Sequence, residues 1–104
     1  MAVVDPEREE AVVADTKTRL EKPPLYKVLL HNDDYTSMDF VVFILRTVFQ
    51  LSEVDSVRIM LQVHTEGVGT AGVYTYEIAE AKAAKVTSLA QEYEYPLLAS
   101  LEAE

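Results

Sequence analysis

Asn32, Asp33 and Asp34 stand side by side in this chain of 104 residues, and His64 follows further along. The first three carry oxygen acceptors, and a neutral histidine can offer one ring nitrogen as an acceptor. Such a set has three uses. Asn and Asp can bond their own backbone and shape a loop. Carboxylate and amide oxygens suit a hard cation such as Mg²⁺ or Ca²⁺, although the Gly and the later Glu of a calcium loop are missing. Convergent acceptors can also receive an ammonium group. Two histidines and no cysteine make a poor zinc set. Asp33 and His64 could form an acid/base pair, but no Ser, Cys or Lys is evidently placed as a nucleophile beside them. Met38, Met60 and Val63 lie near these polar groups in sequence, and methionine fills irregular pockets well. A polar ring at the mouth of an apolar hole is a plausible ligand site.

The elements that must hold these residues can be read from periodicity. Val28-Leu29-Leu30 is long enough for a buried strand and too short for a helix. Thr36 and Asp39 stand at capping-box spacing, which predicts a first helix from about Ser37 to Phe49. Ser52 and Asp55 repeat that spacing ahead of a second helix, from about Glu53 to Thr65. Val57, Met60, Leu61 and His64 recur at helical intervals and are expected to share one face. Gly67, Gly69 and Gly72 are expected to open an irregular turn, with Val73-Tyr74-Thr75 as a second strand. Thr75 is a suitable N-cap for a third amphipathic helix over Tyr76 to about Tyr93, which Pro96 ends. Leu97 to Leu101 can form a closing strand. The predicted order is β-α-α-β-α-β, a small α/β (α+β) sandwich with a three-stranded sheet and three helices on one face.

Composition narrows the partners. Net charge is -9, and beyond residue 24 the basic residues are Lys27, Arg46, Arg58, Lys82 and Lys85. Nucleic-acid binding rests mostly on Lys and Arg neutralising phosphates, so no nucleic-acid partner is expected. Acidity suits cationic groups on peptides, or solubility alone. No membrane span and no targeting segment is visible, and a cytoplasmic chain is expected. Residues 1–24 carry six acidic and four basic side chains, no aromatic residue and a closing Pro23-Pro24. They read as a flexible N-terminal extension, leaving residues 25–104 as the core domain.

Several stretches together resemble the ClpS adaptor family: Asn32-Asp33-Asp34-Tyr35-Thr36, Met38-Asp39-Phe40-Val41, Val63-His64, Gly67, Gly72-Val73-Tyr74-Thr75, Glu77 with Ala79-Glu80 and Lys82, and Pro96-Leu97-Leu98. The resemblance covers nearly everything after Pro23. It departs at Ser37, where many members have Pro, and at Asp39, where Glu is usual; His31 is also unusual. The first departure should soften the helix start.

The resemblance implies an N-degron adaptor, not an enzyme, with no cofactor or metal. Such an adaptor binds proteins with a bulky hydrophobic N-terminal residue and delivers them to a Clp AAA+ unfoldase, ClpA-like or ClpC-like. By the family pattern, Asn32, Asp33 and His64 would hold the α-amino group. Thr36, Met38, Val41, Met60, Val63 and Leu97 would line the hole for the first side chain, with Met38 as a gate against branched residues. Glu77 and Lys82 would face the N-terminal domain of the unfoldase, although a solvated charge pair on a helix would look the same in sequence. Two alternatives stay open at this point: a binder of free N-termini uncoupled from any protease, and a hydrolase using Asp33 and His64. The ammonium reading further expects binding to weaken in the acid range where histidines gain a proton, since a protonated His64 loses its acceptor and repels the ligand.

Overall fold

The computed structural model describes residues 22–104. Apart from Lys22, Pro23 and Pro24, which form no regular element, the expected extension lies outside the described residues. The elements run β1 (Leu25–His31), α1 (Met38–Thr47), α2 (Glu53–Glu66), β2 (Val68–Thr75), α3 (Tyr76–Glu92) and β3 (Leu98–Ala103). This is the expected order.

β1 is the central strand, with β2 and β3 paired antiparallel on either side of it. Its side chains alternate as a strand's must. Val28 and Leu30 are fully buried under the helices, while Lys27, Leu29 and His31 take the other face. On that outer face His31 Nε2 and the Ser100 hydroxyl are 2.6 Å apart. The helices close the inner face: α3 lies across all three strands, and α2 packs on α1 and on β2. Phe40, Val41, Ile44 and Leu45 form the buried stripe of α1, continued by Val48 at its C-cap. Ala79, Val86 and Ala90 bring α3 down onto the sheet. Among the described residues, no helix is long and apolar enough to cross a membrane.

Three local expectations are corrected and one is refined. α1 does not start with a capping box at Thr36, because the Thr36 hydroxyl is spent on Asp33. Ser37 is the N-cap, its hydroxyl accepting from Phe40 N–H at 3.1 Å; the residue expected to soften the start therefore holds it. The Gly67–Gly72 stretch is not an irregular turn, since β2 passes through Gly69 and Gly72 paired with β1, with a bulge at Ala71 where the register shifts. A Cβ on Gly69 would sit 2.7 Å from the Val63 side chain, so glycine there serves the close approach of β2 to α2. On α2, Val57, Met60, Leu61 and His64 do share a face, but it is not the one against the core, which is formed by Ser56, Ile59 and Val63. Lastly, β3 starts at Leu98 and reaches Ala103, because its pairing with β1 continues to Tyr26.

Candidate functional site

Three local devices bring the end of β1 beside the end of α2. Gly67 terminates α2 in the left-handed conformation, φ 88°, and its N–H donates to Val63 O at 2.9 Å. Only glycine adopts that geometry without cost. Gly67 O in turn accepts the Asn32 N–H at 2.9 Å. Asn32 is thereby pinned to the helix end that carries His64.

The second device is the Asp33 carboxylate. Its Oδ1 accepts the backbone N–H groups of Tyr35 and Thr36, each at 2.7 Å, and its Oδ2 accepts the Thr36 hydroxyl at 2.7 Å. Burial alone would push this carboxyl up, but the Thr36 hydroxyl and the two backbone donors outweigh it and bring its pKa below the ordinary value. Asp33 therefore stays charged. It both folds the loop on itself and leaves a fixed anion beside Asn32. A carboxylate has about four lone-pair sites, so roughly one remains for a ligand.

The third device is the α1–α2 pair. Val41 and Val63 belong to the core and also wall a cavity of about 340 Å³ between the helices. Met38 and Met60 complete its apolar side, and Asn32, Asp33, Asp34, Thr36, Ser37 and His64 its polar side. The volume lies in the range of small-ligand sites, about 300–1,000 Å³. Such a cavity offers acceptors and a negative charge at the rim above apolar and polarisable groups.

Of the residues singled out in the sequence, Asn32, Asp33, Thr36, Met38, Val41, Met60, Val63 and His64 all line this one cavity. Leu97 is not among its walls; it is buried in the core immediately before β3. Period-2 alternation explains its place, since Leu98 pairs with His31 on the outer face and Leu97 turns inward. Asp34 and Ser37 line the cavity too. Asp34 was visible as a neighbouring acceptor, while Ser37 drew notice as a helix start and a departure from the family pattern, not as a wall residue.

Glu77 and Lys82 lie elsewhere, on a shallow groove that also includes Val48, Ile78 and Lys85. Glu77 is exposed at the start of α3. Lys82 is already engaged: its Nζ donates to Val48 O at 2.8 Å and lies 5.4 Å from the Tyr74 ring centroid. It ties α3 to the C-terminal end of α1, where a cation suits the helix dipole.

Comparison with known proteins identifies a family. Residues 21–100 match the family model described as ATP-dependent Clp protease adaptor protein ClpS. The chain is 54% identical over 100 residues to the ClpS adapter protein of Myxococcus xanthus, covering 94% of each. It is 54% identical over 93 residues to that of Acetivibrio thermocellus, covering 89% of this chain and 94% of the relative. Among solved structures, Agrobacterium tumefaciens ClpS2 bound to L-phenylalaninamide superimposes with a TM-score of 0.77 at 42% identity, covering 80% of this chain and all of that one.

Proposed function

The chain belongs to the ClpS family of Clp protease adaptors, and on that premise we propose that its α1–α2 cavity holds the first residue of a substrate protein. The observation that carries this reading is the joining of two halves: acceptors from the β1–α1 loop and α2 at the rim, and methionine and valine walls beneath. An α-ammonium carries three donors and one positive charge. Buried, it needs an acceptor for each proton and an anion nearby. The Asn32 amide oxygen, the spare Asp33 lone pair and a His64 ring nitrogen supply them. The side chain of that first residue enters between Met38, Val41, Met60 and Val63. Met38, half-exposed at the cavity, acts as the gate that β-branched side chains fail to pass.

Magnitudes suit a transient receptor. Hydrogen bonds to charged groups contribute about 1.5–3 kcal/mol each, and burying a Phe or Leu side chain about 1.5–3 kcal/mol. Association entropy removes several kcal/mol or more. At the favourable end of these ranges, about 12 kcal/mol gained against about 4 lost, the net is about -8 kcal/mol, a micromolar Kd. Neither half suffices alone, so the adaptor reads a free chain end and its identity together.

The captured protein is handed to a Clp protease. We assign the docking face to the Glu77–Lys82 groove and its partner to the N-terminal domain of a ClpA-like or ClpC-like unfoldase. No catalytic residue is assigned; the work is delivery. Titrating peptides that differ only in their first residue tests the cavity. Phe, Tyr, Trp and Leu should bind, while Val, Ile and Ser should bind at least tenfold more weakly. Equal affinity across the series would refute the reading.

A further inference from the structure

The outward face of α2 carries an exposed apolar stripe among its polar residues, where a surface helix should be polar throughout. Val54 is 77% exposed, Val57 37% and Leu61 47%, opposite the buried Ser56, Ile59 and Val63. These three stand at intervals of three and four residues, so they form one continuous stripe. Its upper end adjoins Met60 and His64, which line the cavity. The stripe is therefore continuous with the proposed site. The L-phenylalaninamide of the related ClpS2 chain ends where a substrate protein would continue, and the residues after the first must leave the cavity across some surface.

We propose that the Val54–Val57–Leu61 stripe receives the second to fifth residues of the substrate when these are apolar. From His64 down to Val54 the helix spans about 15 Å at 1.5 Å per residue. An extended chain covers that distance in four to five residues at about 3.3 Å each. The stripe carries no charge of its own, and its neighbour Arg58 is turned to Asp55 at 3.3 Å. It therefore ranks segments by hydrophobic area without a charge requirement. This inference rests on the cavity holding the first residue.

The test measures three ligands: phenylalaninamide, Phe-Leu-Val-Leu amide and Phe-Ser-Gly-Ser amide. Each is titrated into the full chain and into the Val57→Gln/Leu61→Gln variant, whose helicity is checked by circular dichroism. On the unaltered chain the apolar tetrapeptide should bind about five- to tenfold more tightly than the polar one. In the variant that gap should shrink below about twofold, with phenylalaninamide unchanged. No gap on the unaltered chain, or a gap that survives the variant, overturns the proposal. So does a variant that keeps its peptide affinities but fails in degradation, because the stripe would then belong to the unfoldase. If the variant misfolds, Val54→Gln, at the most exposed position, is read by the same criteria. Failure of phenylalaninamide to bind the unaltered chain would instead refute the reading of the cavity itself, and this proposal with it.

Discussion

Asp33 has two tasks that compete for one carboxylate. Three of its lone pairs close the loop through Tyr35 and Thr36, and the remainder faces the cavity. Thr36→Val, which keeps the shape and removes the hydroxyl, should free Oδ2 and loosen Asn32 and Asp33 together. Peptide affinity should fall about tenfold, the worth of one charge-assisted bond, in a calorimetric titration; undiminished affinity would make Thr36 a wall residue only. The same bonds fix a pH dependence. The Asp33 carboxyl is lowered in the folded chain, so its contribution to stability is complete above the ordinary value of about 4. That contribution is lost as pH falls through the lowered value. Denaturant midpoints of the unaltered chain and Asp33→Asn, compared from pH 7 down to 2, should converge below about pH 4. Ser56 makes a separate case: it is fully buried and its hydroxyl has no hydrogen-bond partner. Ser56→Ala should stabilise the fold by up to about 1 kcal/mol, seen as a higher Tm. A drop would reveal a partner for that hydroxyl.

Helix ends do most of the positioning. Gly67 meets open space where a Cβ would go, so Gly67→Ala tests backbone strain alone. It should cost about 1–2 kcal/mol of stability. Because Gly67 O holds Asn32, it should weaken peptide binding as well. Stability loss without affinity loss would uncouple the cap from the site. The end of α3 is the complementary case: Glu94 has φ 64° while Tyr95 N–H donates to Ala90 O at 2.8 Å, a left-handed cap built without glycine. Glu94→Gly should raise stability by about 1 kcal/mol, measured by urea unfolding. These elements were legible in the sequence to different degrees. The β1 run and the Ser52 cap could be read from type and spacing alone. The buried stripe of α2 could not, because Val57 and Leu61 are apolar at helical spacing yet lie outside. The three glycines read as a turn because close approach to Val63 is a tertiary fact with no local signature.

At the scale of the molecule, a three-stranded sheet with all helices on one side leaves two separate working faces. The cavity lies between α1 and α2, and the Glu77–Lys82 groove between α1 and α3. Both lean on α1, so the candidate docking groove has a structural member. Lys82→Ala would remove its bond to Val48 O and should lower stability as well as delivery; Glu77, which is exposed, gives the cleaner test of docking. The eight cavity residues were legible because the family pattern marks them in order, whereas the inward place of Leu97 in the core, just before β3, depends on the register that pairs Leu98 with His31. The central claim is that one cavity holds a free α-ammonium and the side chain beside it. Isothermal titration of a single Phe-initiated peptide, with and without an acetyl group on its N-terminus, tests this most directly. The free amine should bind with micromolar affinity and the acetylated peptide at least a hundredfold more weakly, about 2.7 kcal/mol. Equal binding of the two would contradict the account.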